Sequence, residues 1–330
     1  MHPESQIRKM LSPYTLISFG VAAGILYFLL SYFKIDLPEI LNTIKNTHIG
    51  LFTLALTIHY TSFPIRGARW HYLAANGELH GESSERLPSI RECSLLVYLG
   101  WFANSFGWLR IGDAYRAYAF SASSKLGFFN SLGIIIAEKI LDITVILLLL
   151  SISFLGIIVL RDLVPSTTIL LLAIGLTAVA LTLLGIMAKF GSKISSKLPG
   201  RAYLVFSSFQ QGTLNSFQGL RLAIVLSIAG WVVETIRLYL VVKSLGYSLS
   251  LASSLFVALV SALITIFPLT PGGLGFVETG VVAVLSPWIG RSGALAITIA
   301  DRSITYVSVL ALGSPVFTLR YLWGQRNKTV

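Results

Sequence analysis

This sequence carries acids and bases where an apolar chain should have few. Arg110, Gly112, Asp113 and Arg116 share one short stretch, and Glu138, Lys139 and Asp142 follow within an apolar run. Glu234 and Arg237 stand three apart in another run, and Asp301 and Arg302 are adjacent in a third. Between these lies Pro268-Leu-Thr-Pro271-Gly272-Gly273-Leu-Gly275, with Glu278 three residues on. Arginine presents a rigid fork of donors that fits phosphate oxygens. Arg110 and Arg116, beside a glycine break, therefore suit a phosphate-bearing ligand, or else act only as charges that fix topology. Glu138 and Asp142 are four apart and share a helix face. With Lys139 they either bind a cationic group or a proton, or mark a helix end from which lysine snorkels to the interface. Glu234 and Arg237 can pair locally, as a structural ion pair or as part of a polar path. The glycine block opens a helix, where backbone N–H groups and the dipole favour an anion. Glu278 can fill that position itself, and a purely structural kink is the other reading.

The rest of the chain sets the price of those charges. Of 330 residues, 55% are hydrophobic and 12% charged, with a mean hydropathy of +0.78. Soluble domains run near ~45–50% apolar and ~25% charged, so a cytosolic enzyme, a secreted disulfide scaffold and a disordered protein are excluded. The single cysteine, Cys93, leaves no intrachain disulfide and no Cys/His zinc cluster. An ionisable group at the centre of a bilayer costs at least ~2.5–3.5 kcal/mol, so each needs a partner or a wet cavity.

About 20 apolar residues in a helix cross the ~30 Å hydrocarbon core. Runs that qualify are Met10 to Phe33, Ile49 to about Leu73, Ile134 to Leu160, Val164 to Ala188, Leu222 to Val242, and about Leu295 to Leu319. The first follows Arg8 and Lys9 without a small-residue cleavage site and reads as an anchored helix, not a removed signal peptide. Residues 189–220 form an interfacial cytoplasmic linker whose amphipathic stretch includes Tyr203, Val205, Phe206, Phe209, Leu214 and Phe217. Two further apolar stretches, Ser94 to Leu109 and Ser244 to Val277, are interrupted by Gly or Pro. Such interruptions must be buried in protein or line a cavity, which predicts two re-entrant hairpins or broken helices. With six full spans, both termini are cytoplasmic. Of the 25 Lys and Arg, Lys34, Lys45, Arg161, Lys243 and Arg291 fall outside, Arg237 and Arg302 lie within spans, and the rest are cytoplasmic. That bias follows the positive-inside rule and explains the basic balance without nucleic acid as a partner.

Sliding the chain by 163 residues (275 less 112) pairs Gly112 with Gly275, Ala137 with Ala300, Glu138 with Asp301 and Lys139 with Arg302. An odd number of crossings separates the copies, so they have opposite orientation, as in transporters whose paired broken helices meet near the midplane. The expected organisation is an all-α polytopic membrane protein with about six full transmembrane helices and two re-entrant, broken-helix hairpins in an inverted repeat. It forms a single membrane domain over 1–330, with repeat 1 at about 49–160 and repeat 2 at about 221–319. Trp70, Tyr72, Trp101, Trp108, Trp288, Tyr321 and Trp323 read mostly as interfacial belts. His59, His71 and His80 lack metal spacing. No nucleophile–histidine–acid grouping, Walker loop or dinucleotide fingerprint is present, so neither cofactor, metal nor catalytic residue is expected.

At these residues the sequence resembles the transmembrane region of the lysylphosphatidylglycerol synthase family, a flippase-like module found alone or fused to an aminoacyl-transferase domain. The family's Arg-Trp after the second span is matched by Arg69-Trp70. Its Asn…Arg-x-Gly-Asp…Arg block is matched by Asn104, Arg110, Gly112, Asp113 and Arg116, with Trp108 where the family usually has Pro. Its Glu-Arg…Asp is matched by Glu138, Lys139 and Asp142, its Pro-x-x-Pro-Gly-Gly-Leu-Gly-x-x-Glu by Pro268 to Glu278, and its late arginine by Arg302. The resemblance implies movement of phospholipid or polyprenyl-linked headgroups between leaflets of the cytoplasmic membrane, with membrane lipid as substrate and envelope-glycan or lipid-modifying enzymes as candidate partners. The substrate-binding set is then Arg110, Asp113, Arg116, Glu138, Lys139, Asp142, Glu234, Arg237, Glu278, Asp301 and Arg302. Asn104, Gly112, Pro268, Pro271, Gly272, Gly273 and Gly275 would form the hinges. Because only Arg320 to Val330 follow the last span, lysyl transfer is not expected. The competing readings are an ion-coupled transporter of a small anion, a membrane-embedded lipid or glycan transferase, and a scaffold for such enzymes.

Overall fold

The computed structural model describes residues 37–77, 87–107, 109–124, 126–163, 165–266 and 270–326. The expected span Met10 to Phe33, together with His80, Trp108 and Pro268, lies outside the described residues. The chain is an all-α polytopic membrane protein. A short helix α1 (Leu37–Lys45) leads into α2 (Ile49–Gly77). The first interrupted stretch forms α3 (Ile90–Phe106) and α4 (Ile111–Ser123). Then come α5 (Phe128–Val159), α6 (Thr167–Ser195), α7 (Gly200–Asn215) and α8 (Leu220–Ser244). The second interrupted stretch forms α9 (Leu251–Ile266), a 3₁₀ turn at Pro271–Gly273 and α10 (Phe276–Ile289). Helix α11 (Arg291–Arg302) passes through a π-helical segment (Ser303–Ser308) into α12 (Val309–Arg326).

Among the described residues, four helices are long and apolar enough to cross a membrane: α5, α6, α8 and the run Arg291–Arg320. They coincide with four of the expected spans. The 32 residues of α5 rise ~48 Å at 1.5 Å each, more than a hydrocarbon core needs. Helix α2 has span length, 29 residues, but carries Pro64, Arg66 and Arg69 in its second half. The two interrupted stretches are broken as expected, and α9 and α10 are shorter apolar helices.

The chain divides into two compact units that interleave along the sequence. The bundle unit comprises the described residues of Tyr60–Tyr98 and Asp113–Thr235; the hairpin unit comprises those of Met1–His59, Leu99–Gly112 and Ile236–Val330. In the bundle unit α5 packs on α6 and α7, and α6 also packs on α7. The α5–α7 crossing is close because Gly133 faces the Phe209 carbonyl and Gly212 faces the Asn130 carbonyl, where a methyl group would collide on either side. Small residues are how membrane helices approach to backbone contact. Helix α7, expected to be amphipathic, is thus strapped to two spans and still exposes Tyr203, Leu204 and Val205. In the hairpin unit α10 packs between α9 and α11, and α11 also packs on α1. Its apolar core runs from Leu238, Val241 and Val242 through Val281, Val282 and Leu285 to Leu295 and Ile297.

Candidate substrate site

In the bundle unit four buried side chains form one ionic network. Arg69, 1% exposed, donates from Nη1 and Nη2 to the two Asp142 oxygens at 2.5 and 3.0 Å, and from Nη2 to Glu138 Oε1 at 2.8 Å. Its Nη1 also donates to Ser227 Oγ at 2.9 Å. Arg116, 2% exposed, donates to Glu138 Oε2 at 2.6 Å, and its guanidinium lies 4.3 Å from the Trp70 ring centre. Glu138 therefore bridges two guanidinium groups with its two oxygens. Asp113 adds a more exposed carboxylate, 3.7 Å from both Arg116 and Lys139. Arg66 lies 3.6 Å from Glu234 and 5.1 Å from the Trp231 ring centre.

The helices explain the convergence. Arg66 and Arg69 are three apart on α2, Glu138 and Asp142 four apart on α5, and each pair shares a face. Fork geometry lets one arginine hold both carboxylates of α5 at once. Deleting one partner of such a buried pair typically costs about 3–5 kcal/mol, because the other charge is left uncompensated.

The hairpin unit holds both helix breaks, and they touch. After α3 the backbone turns through Leu109 and Arg110 at φ 52° and 54°. Bulky residues enter this left-handed region at a cost of ~1–2 kcal/mol each. The turn is fastened by side chains: the Gly112 N–H donates to Asn104 Oδ1 at 2.8 Å, and Arg110 Nη1 donates to the Thr265 carbonyl, at the end of α9, at 2.8 Å. Across the second break, the Tyr306 hydroxyl from the π segment donates to the Ser105 carbonyl at 2.9 Å. Gly272 lies so close to the Tyr306 ring that a Cβ there would collide with it.

Among the described residues of the hairpin unit, two ion pairs join helices. Arg237 pairs with Asp301. Arg302 Nε lies 2.6 Å from Glu278 Oε1, while Glu278 Oε2 accepts the Gly275 N–H at 2.5 Å. One carboxylate thereby caps the start of α10 and ties it to the last span. Of the two sequence readings for this helix start, the chain's own Glu278 fills the anion position.

The residues singled out from sequence therefore fall into both units. Asp113, Arg116, Glu138, Lys139, Asp142 and Glu234 belong to the bundle unit; Asn104, Arg110, Gly112, Arg237, Pro271, Gly272, Gly273, Gly275, Glu278, Asp301 and Arg302 belong to the hairpin unit. Glu234 and Arg237, which the sequence allows to pair locally, also have partners on other helices, Arg66 and Asp301. Sequence reasoning left Arg66, Arg69, Ser227 and Tyr306 out of the site. Arg66 and Arg69 were counted as cytoplasmic topology charges, yet both fall inside the span Ile49 to Leu73, and that position was the available signal. Ser227 and Tyr306 carried none.

Comparison with known proteins agrees with this architecture. The sequence profile of the family described as the lysylphosphatidylglycerol synthase TM region matches residues 15–313. The chain belongs to this family. Among similar proteins is a UPF0104 membrane protein of Methanocaldococcus jannaschii, 30% identical, with 66% of this chain aligned to 93% of that protein. A second from the same organism is 26% identical over 84% of this chain and 87% of its own. More distant is a Haloferax volcanii protein named glycosyltransferase AglD, 22% identical over 90% of this chain but only 53% of its own length.

Proposed function

We propose that this chain carries lipid headgroups between the leaflets of the cytoplasmic membrane, with both termini on the cytoplasmic side. The observation behind the reading is the bridge of Glu138 between Arg69 and Arg116. A carboxylate gripped by two buried guanidinium groups occupies the place a headgroup phosphate would take, and both are planar or tetrahedral oxyanions suited to bidentate arginine. Entry of a phosphate displaces Glu138 from one or both arginines, and its departure restores the internal pairs. Asp113 and Lys139, more exposed at the edge of the network, meet the headgroup first. Arg110 fastens the first helix break to α9. The touching breaks in the hairpin unit supply the backbone that changes shape during transfer, since their irregular turns hold fewer helical hydrogen bonds than the spans.

Proteoliposomes containing fluorescent phosphatidylglycerol and probed with a membrane-impermeant quencher measure this directly. The paired variant Arg116→Gln with Glu138→Gln keeps the net charge, and its second substitution is isosteric. It should slow headgroup transfer at least ~tenfold, the usual loss for one good charge-assisted contact; Arg116→Lys, which keeps the charge but not the fork, should stay folded and slow transfer in the same direction. Wild-type rates in either variant would overturn the assignment. A second cargo is the polyprenyl-linked headgroup that the family resemblance implies, and the relative named as a glycosyltransferase motivates a test of sugar transfer. Vesicles containing such a lipid, and a sugar-transfer assay on the same purified protein, separate that cargo and an enzymatic role from phospholipid movement.

A further inference from the structure

We infer that the end of α6, the helix α7 and the start of α8 form a collar that collects anionic phospholipid headgroups from the membrane surface beside the buried arginine network. From Asp162 to Glu234 the sequence contains no acid, but five bases: Lys189, Lys193, Lys197, Arg201 and Arg221. All five are exposed. On the same segment Phe190, Ile194, Tyr203 and Leu204 are exposed at 42%, 41%, 44% and 63%. Cations alone would suit an acidic protein equally well. Cations interleaved with large exposed apolar groups suit a surface that offers phosphate above and acyl chain below, which is a lipid leaflet.

Three helices of the bundle unit independently place the network close to the end of α7 and the start of α8, where the collar closes. On α5, Gly133 abuts α7, and the Thr213 hydroxyl donates to its carbonyl at 3.2 Å; Glu138 is five residues on, about 7–8 Å at the helical rise. On α8, Ser227 is six residues past Arg221, about 9 Å. On α2, the Tyr72 hydroxyl donates to the Gly219 carbonyl, just before α8, at 2.8 Å, and Arg69 is less than one turn away. Thr213, Gly219 and Arg221 thus lie within about two helical turns of Arg69 and Glu138, and Lys189 to Arg201 extend the collar away from the network, with Arg201 twelve residues, about 18 Å, from Thr213 along α7. The α7 strap is rigidly seated, since Gln210 donates to the Met187 carbonyl at 3.2 Å and packs on Gly191. The collar consequently keeps its place relative to the network.

This inference rests on the proposed function for what happens to the lipid next, but the collection step is measurable alone. The full chain is placed in nanodiscs of phosphatidylcholine with 20 mol % phosphatidylglycerol, a composition of about one anionic lipid in five, enough to give a negative surface. The lipids that remain bound on release are counted by native mass spectrometry. Wild type should retain phosphatidylglycerol over phosphatidylcholine at least ~tenfold more than the variant K189Q/K193Q/K197Q/R201Q, and the preference should collapse in 1 M salt, where charges are screened beyond ~3 Å. The charge-preserving variant K189R/K193R/K197R/R201K should behave as wild type, which separates lost charge from lost fold. Equal retention by wild type and the glutamine variant would overturn the collar, as would a preference that survives high salt or capture of an acidic protein without anionic lipid. Charge-dependent retention without any headgroup transfer by wild type would leave the collar standing and remove the translocation reading.

Discussion

Where the first helix break turns, the backbone enters the left-handed region at two bulky residues, Leu109 and Arg110; where the second turns, it does so at Gly272, Gly273 and Gly275, with φ of 59°, 71° and 84°. The first conformation opposes the preference of its own residues and is held by the bonds of Arg110 to Thr265 and of Asn104 to Gly112. The second follows the preference of its residues and is held by Glu278. The aligned glycines differ in the same way. Gly112 is helical and is glycine because the Gly100 carbonyl leaves no room for a methyl group; Gly275 is glycine because of its φ. The acid–base dipeptides that follow differ as well. Glu138 joins a four-member network on an uninterrupted helix, whereas Asp301 and Arg302 serve two separate pairs just before a π segment. One copy of the motif locks helices together, and the other ties a span to a turn that glycines leave free to adjust.

Substitutions can break or refine this contrast. Glu138→Ala strands Arg69 and Arg116 and should lower stability in detergent by about 3–5 kcal/mol, read as a fall in thermal midpoint and in monodisperse yield. Glu278→Ala removes a cap and a pair that is partly solvated, 11–16% exposed, and should cost about 2 kcal/mol. Equal losses would mean that the two charge sets are equally buried in the working protein. Among the glycines, Gly112→Ala forces α4 away from the Gly100 carbonyl and should cost about 2–3 kcal/mol. Gly275→Ala puts a side chain at φ 84° and ψ −49°, a conformation that L residues rarely adopt, and should cost about 1–3 kcal/mol; no loss for either variant in a thermal-shift series would refute its explanation. The smallest expected effect is a gain: Leu109→Gly, at a position 76% exposed, relieves strain and should raise stability by up to ~1 kcal/mol.

Much of this was legible in the sequence because apolar run length and Gly/Pro interruption are local properties. The spans at α5, α6 and α8, and both breaks, followed from them directly. Pairing across helices was not legible. Glu138 and Asp142 declared a common face through their spacing, but nothing local says that Arg69, 69 residues earlier, should meet them. A basic residue near the end of a span reads as topology charge until its partner is seen. The same holds for Tyr306: a tyrosine in an apolar span carries no mark that its hydroxyl will reach the Ser105 carbonyl. Leu109 and Arg110 were opaque for the opposite reason, since their side chains argue against the conformation they adopt.

The π segment at Ser303–Ser308 fixes a phase. A π turn is an α-helix with one residue too many, so the faces of α11 and α12 are out of step by one residue, about 100°. Removing a single residue there would restore regular winding and swing α12 around its axis. Phe317, 5.8 Å from Phe102, and Gly313, pressed against the same ring, would both rotate off it. The last span is in effect geared to the first break by its residue count, and a one-residue deletion in it should do more harm than most substitutions along its length.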